Sequence, residues 1–85
     1  MSSAVDAPLI PKVGSILKVK GHYLGDTNAT AKVLKTGLKK TRIRVETTVM
    51  SYGKPWITNE LLFWSYTKKM YVNNDMFSDC GFPVE

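Results

Sequence analysis

The sequence is poor in the residue types from which catalytic and metal sites are built. It contains one histidine, His22, and one cysteine, Cys80, which excludes an intramolecular disulfide. A zinc site needs about four ligands at matched spacing, and this chain cannot supply them alone. Glycine-rich phosphate loops and an acidic calcium loop are also missing from the sequence. We therefore expect a protein that is not an enzyme and that holds no metal and no cofactor.

The sequence also has no long hydrophobic run. No apolar stretch approaches the roughly 18 residues of a membrane span, and residues 1–6 carry neither the basic nor the apolar region of a signal peptide. Small secreted domains usually depend on disulfides, so a chain with a single cysteine fits a reducing compartment better. We expect one small domain in the cytoplasm, without membrane contact.

Acidic residues are scarce in the first half of the chain. From Lys12 to Arg44 there are nine basic residues and one acidic residue, Asp26. Residues 70–85 contain three acids and no base, and the whole chain has a net charge of +5. Because basic residues cluster in one part of the sequence, the charge distribution favours a polyanionic partner.

Composition divides the chain into three segments. Residues 1–12 are small and polar, with two prolines and no periodicity, and are predicted to be a flexible N-terminal arm. Residues 13–70 hold the strand patterns and most of the aromatic residues, and are predicted to form the folded domain. Residues 71–85 are predicted to be an acidic C-terminal tail with a turn at residues 73–75 and a loose end.

Apolar and polar side chains alternate along residues 13–50, which is the pattern of half-buried strands. In the clearest run, residues 42–49, the β-branched residues Ile43, Val45, Thr47 and Val49 alternate with Arg42, Arg44, Glu46 and Thr48. Turn-forming residues separate the runs at residues 25–28 and again at residues 36–40, where Gly37 suits a left-handed backbone. The sequence therefore predicts an antiparallel meander.

The next segment, residues 56–66, fits two kinds of structure. As a helix it would have Glu60 in its first turn and Lys68 and Lys69 in its last turn, which suits the helix dipole. As a strand it would carry apolar side chains on both faces. A short helical turn at residues 58–61 followed by a final strand at residues 62–66 accommodates both patterns.

Glycines and alternating apolar residues recur at a characteristic spacing at the start of the folded segment. They are Gly14, Leu17, Val19, Gly21 and Gly25, followed by Ala31 and Val33. In this spacing, residues 13–50 resemble the KOW motif of SH3-like barrels, a family that includes ribosomal and transcription-elongation proteins. The chain departs from the motif at Leu24, where a lysine commonly precedes the second glycine, and in a longer insert at residues 26–30. The resemblance implies an all-β fold, a five-stranded antiparallel SH3-like barrel, and RNA or DNA as partner.

Strand alternation predicts that the basic residues share one face of the sheet. If the apolar positions of the first three strands point inward, the cations between them point outward together. The candidate nucleic-acid-binding residues on this reasoning are Lys18, Lys20, Lys32, Arg42 and Arg44, extended by Lys39 and Lys40, with Lys35 near the hairpin tip. The alternative is that such cations are only solvated and protect the strands from aggregation.

Aromatic residues crowd the second half of the chain. We expect Trp56 and Phe63 in the core, and Leu62 and Trp64 facing a second surface, because no one-faced strand can bury residues 61–64 together. Rings that could stack on bases or contact a partner are Tyr23, Tyr52 and Trp64. Two functions remain open from the sequence: a module that binds nucleic-acid phosphates, and an SH3-like adaptor or accessory subunit that docks on an acidic protein surface through these cations and exposed aromatics.

Overall fold

A computed structural model of the chain describes residues 9–73 and 80–84. Five antiparallel strands form one sheet in the order of the sequence, β1-β2-β3-β4-β5. The strands are β1 (Ile16–Lys18), β2 (Thr30–Leu38), β3 (Arg42–Ser51), β4 (Lys54–Ser65) and β5 (Met70–Val72), with a 3-10 turn at Lys39–Thr41 between β2 and β3. The sheet curls into a half-barrel, which confirms the prediction of a small all-β antiparallel barrel. In the described part of the chain, no helix has the length and hydrophobicity needed to cross a bilayer.

The core lies inside this curl and follows the alternation seen in the sequence. On β3 every second side chain is buried, and the matching positions of β1 and β2 are buried as well. These inward residues are Leu17, Ala31, Val33, Ile43, Val45, Thr47 and Val49. The meander predicted from the sequence is therefore correct in both strand order and facing for its first three strands.

The C-terminal segment bridges the two edges of the half-barrel. Gly81 exchanges two backbone hydrogen bonds with Lys20, of 2.7 and 3.2 Å, and Phe82 exchanges two with Tyr71, of 2.7 and 3.0 Å. The Phe82 side chain is fully buried in the core. The prediction of a loose end after residue 71 is therefore wrong for the described residues, because β5 and residues 80–82 are packed. The acids Asp75, Asp79 and Glu85, and the predicted turn from residue 74 onward, lie outside the described residues.

The N-terminal segment is described only from Leu9 onward, and residues 1–8 of the predicted arm lie outside the description. The Tyr71 hydroxyl donates a hydrogen bond of 2.9 Å to the carbonyl of Leu9. Burial raises the pKa of this phenol, which keeps the hydroxyl protonated as the donor. Pro11 is buried, so residues 9–11 already contact the barrel.

No helical turn forms at residues 58–61, and this prediction is wrong. The segment lies inside β4, which pairs with β3 over ten consecutive positions. A two-residue turn closes this hairpin, with φ of 52° at Tyr52 and 76° at Gly53, the left-handed pair that matches strand twist. Strand β3 supplies a partner for every residue from Lys54 to Phe63, and this tertiary pairing overrides the local helix signals.

The inward and outward residues of β4 are also the reverse of those expected. Leu62 and Trp64 are buried, whereas Phe63 is 37% exposed and Trp56 is 59% exposed. The reason is the register: Ile43, an inward residue of β3, lies opposite Leu62, and directly paired residues share a face of the sheet. Trp56 lies on the same side of β4 as Leu62 and Trp64. It is nevertheless exposed, and it lies near the end of the hairpin, close to the turn at Tyr52 and Gly53.

Candidate nucleic-acid interface

Five exposed cations lie along the outer face of the sheet, on the side opposite the core. Leu17 and Val19 pack inward on either side of Lys18, and Lys20 continues the outward positions beyond β1. Arg44 lies between two buried residues of β3. We call these cations the basic face: Lys18, Lys20, Lys32, Lys35 and Arg44, all exposed.

A β-bulge brings Lys35 into the basic face. Val33 pairs with Val45, but the next pair is Lys35 with Arg44, so Leu34 is an extra residue on β2. Without the bulge, Lys35 would point inward like Val33, which lies two residues before it. The extra residue reverses the alternation, so Lys35 points outward. From the sequence, Lys35 is expected only near the hairpin tip. The signal that could have revealed the bulge is a lysine at a position that simple alternation directs inward.

The predicted hairpin tip is also displaced. Gly37 has the expected positive φ of 76°, but it lies within β2, and the turn is made by Lys39–Thr41 with φ of 60° at Lys40. Lys39 and Lys40 are exposed on this turn. Arg42 is half-buried, and its Nε donates a hydrogen bond of 3.1 Å to the Lys39 carbonyl, so this arginine holds the turn in place.

Charge on the basic face is not uniform. Lys35 and Arg44 are direct cross-strand partners, and like charges in this position destabilise a sheet. Lys32 lies opposite Glu46, a half-buried acid that offsets part of the positive charge. The most strongly positive part of the face is therefore the Lys35–Arg44 end.

An apolar stripe on the outer side of β4 borders the basic face. Ile57 is 58% exposed, and Leu61 and Phe63 are each 37% exposed. Leu61 pairs with Arg44, and Phe63 pairs with Arg42. This stripe is not predicted from the sequence, because the side chains of residues 61–64 are expected there to face the opposite way.

Of the three rings proposed for stacking, one is accessible. Tyr23 and Trp64 are 4% and 7% exposed and belong to the core. The Tyr23 hydroxyl donates to Glu60 Oε1 at 2.5 Å, and Trp64 packs edge-on against Tyr71 with centroids 5.1 Å apart. Tyr52 is 99% exposed at the β3–β4 turn, away from the basic face.

The polar cluster around Glu60 is built as a structural network. Glu60 Oε1 accepts hydrogen bonds from Tyr23 and Asn73, and Oε2 accepts from Thr47 at 2.5 Å and Thr58 at 3.2 Å. Thr47 and Asn73 are buried polar residues, and burying a polar group without a partner is costly. The carboxylate therefore satisfies the polar groups at the open end of the barrel.

Outside the basic face and the cluster around Glu60, the remaining residues with reactive side chains are His22 and Cys80. His22 is exposed and follows β1, whereas Cys80 is buried and directly precedes Gly81 and Phe82, which bridge the two edges of the half-barrel. Within residues 9–73 and 80–84, no group of three or more histidine, cysteine, aspartate or glutamate side chains is placed to hold a metal ion.

Asp26 fixes the loop between β1 and β2 to the long hairpin. Its Oδ2 accepts a hydrogen bond of 2.8 Å from the Met50 amide, and its Oδ1 accepts one of 2.9 Å from the Asn28 amide. These two amides lower the pKa of the Asp26 carboxyl below its ordinary value of 3.8, because they stabilise the charged form.

The fold and its outer surface together define a small all-β antiparallel barrel domain with an exposed basic face. Comparisons with protein-family models, with curated proteins and with solved structures found no match.

Proposed function

We propose that this domain binds nucleic acid through contacts between the basic face and the phosphate backbone. The observation that carries the proposal is the grouping of five exposed cations from three neighbouring elements on one side of the sheet. A like-charged cross-strand pair, Lys35 with Arg44, is unfavourable unless an anion lies across it. The resemblance of residues 13–50 to the KOW motif supports the same kind of partner.

The spacing of the cations suits a repeating anion. Neighbouring strands lie about 4.8 Å apart, and alternate residues of a strand about 6.6 Å apart. Long lysine and arginine side chains on this grid reach successive phosphates of one backbone. Contacts of this kind position a nucleic acid without recognising its sequence. We therefore expect binding to RNA and DNA with little base specificity.

A second candidate function is docking on an acidic protein surface. The apolar stripe of Ile57, Leu61 and Phe63 beside Arg44 favours it, because protein interfaces combine buried apolar or aromatic anchors with arginine. Such binding would depend on the stripe and would persist at moderate salt, whereas phosphate binding would not.

The test is fluorescence anisotropy of labelled single-stranded DNA, duplex DNA and RNA with a charge-reversed variant. Lys35→Glu with Arg44→Glu lowers the net charge from +5 to +1, since each reversal removes two charges. Two phosphate contacts of the basic face are lost, and we expect affinity to fall about 100-fold at low salt.

The matched control is Lys54→Glu with Lys69→Glu; both lysines are exposed, Lys54 as the first residue of β4 and Lys69 on the β4–β5 turn. This variant makes the same change in net charge away from the basic face, and we expect its affinity for nucleic acid to fall by at most a few-fold. Equal losses in the two variants would show that only overall charge matters and would contradict a site on the basic face.

A further inference from the structure

The end of the outer face that carries Lys35 and Arg44 is divided into a charged half and an apolar half. Lys35 of β2 pairs with Arg44 of β3, and Arg44 pairs with Leu61 of β4. Directly paired residues share a face of the sheet, so Arg44 lies between a cation and an apolar side chain. Phe63, the next outward residue of β4, extends the apolar half. The cations therefore lie on one side of this surface and the apolar side chains on the other.

The two apolar side chains beside the cations are partly exposed. Leu61 and Phe63 each have 37% of their surface exposed. Ile57 belongs to the same stripe, but the paired residues Glu46 and Asn59 lie between it and the charged end. The negative charge of Glu46 disfavours an anion at that position. A ligand that is anionic on one side and apolar on the other therefore fits best at Leu61 and Phe63.

We propose that this end of the face binds a single strand of nucleic acid, with its phosphates on Lys35 and Arg44 and its bases against Phe63 and Leu61. The inference rests on the proposed function and narrows it to one class of nucleic acid. A single strand carries its charge along one edge and exposes the flat faces of its bases along the other. A duplex presents its phosphates on the outside, while its bases stack on one another and offer no free face to a side chain.

An aromatic ring at this position suits a ligand without a defined sequence. Every base has a π-face, so stacking on a ring such as Phe63 tolerates any base. The phosphate contacts of the neighbouring cations are equally independent of sequence. Both parts of the surface therefore agree with the low base specificity expected for the basic face.

The spacing of the side chains also favours a single strand. Leu61 and Phe63 are alternate residues of one strand, about 6.6 Å apart, whereas successive nucleotides of a duplex strand rise by about 3.4 Å. Successive bases that cover both side chains are therefore unstacked from each other, which an extended single strand allows. Arg44 and Phe63 are diagonal neighbours about 7–8 Å apart, within reach of long side chains, so one nucleotide can contact both.

Fluorescence anisotropy with the Phe63→Leu variant tests the proposal. This substitution removes the ring and keeps an apolar side chain. The probes are a labelled oligothymidylate of about 12 nucleotides, within the site sizes of single-strand binders, and a labelled duplex of the same length. Loss of one stacked base should weaken binding to the single strand by about 5- to 140-fold. Affinity for the duplex should change by less than about twofold, because phosphate contacts alone hold it.

Two control variants isolate the effect of the ring at this position. Phe63→Tyr keeps an aromatic face and should bind the single strand as the wild type does. Tyr52→Leu makes the same kind of change at a ring that is 99% exposed but lies away from the basic face, and should also bind like the wild type. Should Phe63→Leu unfold by circular dichroism, Phe63→Ile, with its higher strand propensity, replaces it with the same expectation.

The outcomes distinguish this proposal from the proposed function. A Phe63→Leu protein that binds the single strand as tightly as the wild type, or that loses affinity for the duplex equally, would overturn stacking at Phe63. Phosphate binding would still stand if Lys35→Glu with Arg44→Glu weakened binding to both probes. A wild-type protein that binds neither probe would overturn both proposals and leave the apolar stripe to a protein partner.

Discussion

A single carboxylate, Asp26, connects two parts of the chain that are far apart in sequence. Its hydrogen bond to the Met50 amide joins the β1–β2 loop to the β3–β4 hairpin. The lowered pKa means that folding favours the charged carboxylate, so its stabilisation is present above the ordinary pKa of 3.8 and is lost as pH falls through the folded-state pKa.

We expect Asp26→Asn to lower the melting temperature at about pH 7 and to have a smaller effect as the pH is lowered through the folded-state pKa of Asp26, because the wild-type carboxylate then becomes protonated. Thermal unfolding of both proteins followed by circular dichroism measures this difference. A difference that stays constant with pH would contradict the role of the charged form.

Strand β4 shows which part of the fold the sequence could predict. The facing of β1 to β3 follows from alternation, because each has one apolar and one polar side. In β4 the run from Leu61 to Trp64 is apolar on both sides, and facing depends on the register with β3. That register is set by the turn at Tyr52 and Gly53, seven residues before the run.

The residues of the basic face could likewise be predicted from the sequence where side chains alternate simply along a strand, but not where they depend on pairing between strands. The cations Lys18, Lys32 and Arg44 lie on simple alternating strands and were found from the sequence. Lys35 reaches the face through a bulge at Leu34, which depends on pairing with β3. The burial of Tyr23 could not be anticipated, because its partners Glu60 and Asn73 come from distant parts of the chain.

The two tryptophans of β4 provide a direct test of its facing. Trp64→Ala removes a buried side chain and should cost about 3–5 kcal/mol in the free energy of unfolding. Trp56→Ala changes a side chain that is 59% exposed, and should cost roughly 1 kcal/mol or less. Urea unfolding followed by circular dichroism compares the two; the reverse order of stabilities would show that β4 has the opposite facing.

Closure of the half-barrel depends on the C-terminal segment. A chain of 85 residues has a thin core, and Phe82 is one of its largest fully buried side chains. Its backbone also exchanges two hydrogen bonds with Tyr71, and the preceding residue, Gly81, exchanges two with Lys20. The segment therefore adds both core volume and edge pairing to the fold.

We expect Phe82→Ala to lower the free energy of unfolding by about 3–5 kcal/mol, a large part of the 5–15 kcal/mol typical of a domain. Phe63→Ala, at a position 37% exposed, is the matched control with an expected loss of roughly 1–2 kcal/mol. Chemical denaturation gives both values. A Phe82→Ala protein as stable as the control would contradict closure by this segment.

At the scale of the whole molecule, the proposed function requires that the basic face neutralise phosphates. The most direct measurement is the salt dependence of binding to duplex DNA, followed by anisotropy between about 50 and 200 mM salt. Five phosphate contacts predict a slope near −4.5 in log affinity against log salt, about −0.9 for each neutralised phosphate. Absence of binding at low salt, or a slope near zero, would contradict the account and leave the surface to a protein partner.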